Sequence, residues 1–105
     1  MHVTVVAILT IADRDAFRAY EARAATIMAR HGGAIERAIA IPPAAADADA
    51  RWREVHVLRF TDDAAFAAYR ADPELRALAA MRAAAITGTA VLTGHDLDLR
   101  AAGLA

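Results

Sequence analysis

The sequence predicts an α+β domain of βαββαβ order, a four-stranded antiparallel sheet with two helices on one face. Three observations predict it: β-branched segments that alternate with amphipathic ones, an aspartate at the start of each helical segment, and a repeat relating the two halves of the chain. At 105 residues the chain is long enough for one core. We expect one domain over residues 1–96 and a C-terminal tail over 97–105 that is extended or disordered.

Val3 to Ile11 reads VTVVAILTI, a strand ending at Asp13. Asp13 caps a helix on which Phe17, Tyr20, Ala24, Ile27 and Met28 recur at spacings of three and four, forming one apolar stripe that runs to about His31. Gly32 and Gly33 end it, since glycine tolerates the left-handed conformation after a helix. Ala34 to Ile41 is a second strand, closed by Pro42 and Pro43, and the Ala- and Asp-rich stretch over 43–50 reads as a mobile loop. Trp52 to Phe60 is a third strand. Asp62 caps the second helix, which breaks near Pro73 because Asp72-Pro73 has the form of a new cap and first turn. The stripe Leu75, Leu78, Ala79, Ile86 follows, and Gly88 separates it from a last strand over Thr89 to Thr93.

The repeat decides the topology. ADRDAFRAY (Ala12 to Tyr20) matches TDDAAFAAY (Thr61 to Tyr69) at constant offset, pairing Asp13 with Asp62, Phe17 with Phe66 and Tyr20 with Tyr69. Two βαβ halves of this kind give the split, ferredoxin-like arrangement, with both helices on one face because both crossovers share one hand. The other face is then bare. Val6 and Ile8 lie on the opposite side of the first strand from Val3, Val5, Ala7, Leu9 and Ile11, and Val55 and Val57 oppose Trp52, Leu58 and Phe60. An apolar face of that extent predicts a homodimer formed through the helix-free side of the sheet.

Composition narrows the function. There is no Cys, and His2, His31, His56 and His95 lie far apart, so no metal site is expected. Net charge is −1 with acidic residues spread along the chain, which offers no electrostatic footprint for nucleic acid or anionic membrane. The apolar runs are too short to span a bilayer and no signal peptide is legible, so a cytoplasmic location is expected. All twelve basic residues are Arg, a coding bias of GC-rich bacterial genomes. The chain contains no Ser, no His-carboxylate companion to its Thr residues and no glycine-rich phosphate loop.

The run EVHVLRFTDDAAFAAYRADPELRALAAMRAAAI (Glu54 to Ile86), with FRAYEARAATIMARHGG (Phe17 to Gly33), resembles the dimeric α/β-barrel superfamily. Within it, the chain is most similar to bacterial domain-of-unknown-function families that neighbour the antibiotic-biosynthesis monooxygenases. The resemblance runs from Val3 to about Asp96 and implies two sheets packed face to face, with a pocket in each subunit between sheet and helices. The superfamily also holds haem-degrading enzymes, lactone isomerases and dye peroxidases, so it implies fold more than function. In the monooxygenase branch the third strand supplies an aromatic near Phe60, and the next helix a polar ring residue where this chain has Tyr69. Phe60 replaces a hydrogen-bonding Trp of that branch and the first strand lacks its Asn, departures that weigh against oxygenase chemistry.

Six residues are the candidates for a site. His56 sits mid-strand on the face of Trp52, Glu54, Leu58 and Phe60 and is suited to proton transfer; the alternative is a hydrogen-bonded His lining the dimer interface. Arg82 falls on the second apolar stripe, where an inward guanidinium needs either a carboxylate such as Glu54 or Glu36, or an anionic ligand, the alternative being a side chain that snorkels to the helix edge. Tyr69 is a hydrogen-bond donor, and Phe60, Trp52 and Glu54 complete the ligand-binding set. Two functions follow: a cofactor-independent enzyme, monooxygenase-like or isomerase-like, or binder acting on a compact, partly aromatic or anionic organic molecule; or a homodimeric module without catalysis.

Overall fold

In a computed structural model describing residues 2–46 and 51–105, four strands form one antiparallel sheet in the order β2-β3-β1-β4. The strands are β1 (Val3–Ile11), β2 (Ala34–Ile41), β3 (Trp52–Phe60) and β4 (Ile86–Gly94). The helices are α1 (Arg14–Arg30) and a broken second unit of α2 (Asp63–Ala71), α3 (Pro73–Arg76) and α4 (Ala79–Ala85). The expected βαββαβ order and sheet are therefore present. Of the loop expected over 43–50, residues 47–50 lie outside the described residues.

Side-chain alternation sets the layers. On β1 the odd residues Val3, Val5, Ala7, Leu9 and Ile11 are buried, opposite Phe60, Leu58, His56, Glu54 and Trp52 of β3. These two rows form the helix-covered face. On it, Val3, Val5, Leu58 and Phe60 pack with Ile27, Met28, Phe66 and Tyr69, and Leu9 and Ile11 pack with Phe17, Ala85 and Ile86. The opposite face has no helix and presents Ile8 and Ile39 at 37% and 38% exposure, with Leu92 at 60%.

The caps are where the sequence places them. Asp13 and Asp62 accept from the backbone N–H of Ala16 and Ala65, and Asp72 from that of Glu74, so the Asp72-Pro73 pair does start a new helix. Gly32 has φ +71°, as a helix-ending glycine should. Gly33 is needed for a different reason. A Cβ there would stand 2.3 Å from Phe60 Cε1 and 2.7 Å from Met28 Cγ, so the chain can enter β2 only where no side chain intrudes.

Two expectations are corrected. Ile86 is the first residue of β4, buried opposite Ile11, and not the end of a helical stripe, because α4 stops at Ala85. Gly88 belongs to the same strand, paired with Thr10 next to a register shift, where a Cβ would meet Thr10 Oγ1 at 3.2 Å. Within the segment expected as a tail, over 97–105, residues 99–103 form a turn. Leu104 N–H donates to Leu99 O at 2.7 Å and Ala102 N–H to Asp98 O at 2.9 Å, closing a turn, while Asp96 accepts from Thr4 and Arg59. No helix among the described residues is long and apolar enough to cross a membrane.

Candidate functional site

A cavity of about 610 Å³ lies between the helix-covered face and the helices. Its floor dips because β1 presents Ala7 between His56 on one side and Val91 on the other, a short side chain in a row of longer ones. Tyr20, Glu21 and Ala24 of α1 form one wall. Tyr69, Leu75 and Arg82 of the broken second unit form the other. The size is within the ~300–1,000 Å³ of small-molecule sites.

His56 is 4% exposed and belongs to the cavity floor. It faces the helices, so the interface alternative for this residue is set aside: the alternation of β3 puts it on the same side as Phe60, with its ring 5.7 Å from that of Phe17. Its Nε2 lies 2.9 Å from Glu54 Oε1 and 3.2 Å from Glu21 Oε2. Carboxylates offer only lone pairs, so the hydrogen is assigned to Nε2, shared between two acceptors. Nδ1 makes no hydrogen bond among the described residues and is the ring atom left for other work.

Glu54 holds this arrangement in place. It is 2% exposed, and Arg18 grips it with NH2 on Oε2 at 2.7 Å and NH1 on Oε1 at 3.2 Å, while Trp52 Nε1 donates to Oε2 at 3.1 Å. Burial works to raise the Glu54 carboxyl, but the hydrogen bonds from Arg18, His56 and Trp52 outweigh it and hold it below the usual carboxylate range. Trp52 is itself covered by Arg14, whose guanidinium carbon is 3.7 Å from the indole centroid. Trp52 and Glu54 thus stand behind His56 as supports and are not part of the cavity wall.

Glu21 was not among the sequence candidates. It accepts from Arg18 NH1 at 2.9 Å and, unlike Glu54, lines the cavity. A signal for it exists: it falls four residues after Phe17 and three before Ala24, on the apolar stripe of α1, the same kind of placement that singles out Arg82. Glu21, Glu54 and His56 together bring ligand-type atoms within 4.8 Å of one another. A metal ion there would have to displace Arg18 from Glu54, so this set fits a hydrogen-bond network held by Arg18 better than a metal centre.

Arg82 also lines the cavity, and its NH2 donates to Thr89 Oγ1 at 2.7 Å. Neither carboxylate suggested for it is its partner: Glu54 is held by Arg18, and Glu36 pairs with Arg59 at 3.1 Å on the other side of the sheet. Tyr69 is 8% exposed and on the wall; burial, with Tyr20 nearby, pushes its phenol up to about 12 against the opposing pull of Arg82, so it stays a neutral donor. Phe60 does not reach the cavity. At 0% exposure its ring is 5.1 Å from Phe66 and 5.5 Å from Tyr69, a core residue that backs the tyrosine.

A ferredoxin-like α+β domain with a pocket between sheet and helices is what the fold and site define. The chain belongs to the family described as a domain of unknown function (DUF1330), which it matches over residues 3–94. Among solved structures, it is similar to a protein of unknown function from Rhodopseudomonas palustris (18% identity, TM-score 0.73, covering 92% of this chain and 83% of that one). It is also similar to SnoaB, a cofactor-independent oxygenase from Streptomyces nogalater (25% identity, TM-score 0.60, 92% and 96%). A third is a dimeric ferredoxin-like protein of unknown function from Thermobifida fusca (16% identity, TM-score 0.59, 91% and 92%). No curated protein matches the sequence.

Proposed function

We propose that this chain binds a small organic molecule in the cavity and performs acid–base chemistry on it without a cofactor, in the manner of an isomerase. The observation that carries this reading is the placing of His56 on the cavity floor with Nε2–H shared by Glu21 and Glu54. In this reading His56 Nδ1 takes a proton from a ligand C–H or O–H, and the imidazolium so formed is balanced by the two carboxylates until the proton returns at another ligand atom. Tyr69 donates to the oxygen on which charge develops and Arg82 holds the ligand. Trp52 and Glu54 fix the imidazole, and Phe60 supports Tyr69. The likeness to SnoaB supports cofactor-independent chemistry as something this fold can host; proton transfer is preferred over oxygenation because the described site is built around a His–carboxylate network.

The second element of the proposal is a homodimer through the helix-free sheet face. Val6, Ile8, Val55, Val57, Ile39 and Leu92 share that face by register, and the Thermobifida fusca relative is described as dimeric. This element stands apart from catalysis and is also what a non-catalytic module would use.

Native mass spectrometry of freshly purified protein tests the ligand reading. An organic molecule that travels with the wild-type chain, and is lost from Ala79→Trp, whose new side chain fills the cavity from α4, is the expected result. A bare wild-type mass, with no aromatic or aliphatic acid giving a saturation-transfer signal by NMR, contradicts it.

A further inference from the structure

Three arginines of the broken second unit, Arg70, Arg76 and Arg82, all line the one cavity. They are spaced by six residues. On a single straight helix, at about 100° per residue, successive members would be turned by about 240° and would point to three different faces. The interruption at Asp72-Pro73 and the turn before Ala79 remove that constraint, so the helix break is what gathers them.

None of the three meets a carboxylate among the described residues, whereas Arg18, Arg30 and Arg59 each do. Arg82 is half-buried and rests on Thr89, Arg70 has its guanidinium carbon 5.5 Å from the Phe66 centroid, and Arg76 is exposed. The one carboxylate of the lining, Glu21, is already shared by Arg18 and His56. Arginine presents a planar fork of donors matched to an acid group, and the rest of the lining is mainly apolar, with Leu9, Met28 and Leu58 among its residues.

We infer that the ligand is an organic acid with an apolar body, its anionic head held by Arg76 and Arg82 with Arg70 beside them and its body against the apolar lining. This rests on the cavity being a ligand site, and it adds the charge and the orientation of what enters. An acid group held at the arginines leaves the carbon skeleton as the part presented to His56 and Glu21, and so makes the acid head the anchor and not the reacting group.

Calorimetric titration of the full chain with 2-naphthoate and with 2-naphthamide, of equal shape and different charge, tests it. Naphthoate is expected to bind more tightly by at least about tenfold. That advantage is expected to shrink with added salt, and to disappear in Arg82→Ala and in the exposed-site variant Arg76→Gln. Arg23→Ala, on α1 and outside the cavity, is expected to change nothing. Equal affinity for both probes overturns the inference while leaving the cavity as a neutral-ligand site. A naphthoate preference unchanged in both arginine variants also overturns it, and binding of neither probe overturns it together with the reading it rests on.

Discussion

His56 Nε2 stands between two carboxylates, 2.9 Å from Glu54 Oε1 and 3.2 Å from Glu21 Oε2, and only Glu21 touches the cavity. The two acids therefore have different effects when neutralised. Glu54→Gln removes the negative charge and one of the two oxygens that accept from Arg18, Trp52 and His56 in a buried place, and is expected to destabilise the fold by about 1.5–3 kcal/mol in urea unfolding. Glu21→Gln, on a side chain 22% exposed, is expected to leave the urea midpoint within about 0.5 kcal/mol of wild type.

The low Glu54 carboxyl makes a pH prediction with a definite sign. A carboxyl whose pKa is lower folded than unfolded contributes stability above the unfolded value, about 4.3 for Glu, and loses it as pH falls through the folded value. Asp72, lowered chiefly by the hydrogen bond from His31, acts in the same direction and over the same acidic window. Melting temperature is thus expected to be flat with respect to these groups near neutrality and to drop below about pH 4. Arg18→Ala removes the strongest bond opposing the burial of Glu54, so its acid-induced decline is expected to begin at higher pH than that of wild type.

Gly33→Ala is expected to destabilise by about 1–3 kcal/mol although the backbone there is ordinary. The added Cβ would collide with Phe60, which is fully buried and has nowhere to move. Gly32→Ala strains a left-handed residue instead, and its Cβ meets only Thr61 at 3.4 Å. Comparing the two by chemical denaturation, and then in a Phe60→Leu background that relieves the Phe60 part of the Gly33 clash, leaves that with Met28 and does not touch Gly32, separates steric crowding from backbone strain.

The elements were legible because each is short-range in origin. The bounds of the first three strands follow from β-branched runs cut off by Asp13, Pro42 and Asp62, and the caps from aspartates just ahead of apolar periodicity. The repeat of Ala12–Tyr20 in Thr61–Tyr69 carries the topology, since it shows that two equivalent units must share one sheet. What was not legible is pairing across the fold. Arg18 and Glu54 are separated by 36 positions and meet only because α1 crosses β3, and the acids that the sequence offers Arg82, Glu54 and Glu36, are engaged by Arg18 and Arg59. Ile86 misled for a local reason: its spacing from Leu75 and Leu78 fits a helix, yet α4 ends one residue before it and the isoleucine is buried in the sheet instead.

Self-association through the helix-free face is checked by light scattering. At micromolar concentration the wild-type chain is expected to have twice the monomer mass, with about 1,600 Å² buried between copies. Val57→Asp puts a charge on that face and is expected to shift the protein to monomer with little change in fold, because Val57 does not belong to the helix-covered core. A wild-type monomer at these concentrations contradicts the assembly.

The most direct test of the site follows the four histidine imidazoles by NMR as 2-naphthoate is added. His2 is exposed, His31 is tied to Asp72 and His95 lies beyond β4, so none of them lines this cavity. The His56 ring nitrogens are expected to shift in a saturable way, with the hydrogen on Nε2 in the free protein, while the other three imidazoles stay fixed. A His56 signal that does not move while naphthoate binds elsewhere, or a free ring protonated only at Nδ1, contradicts it.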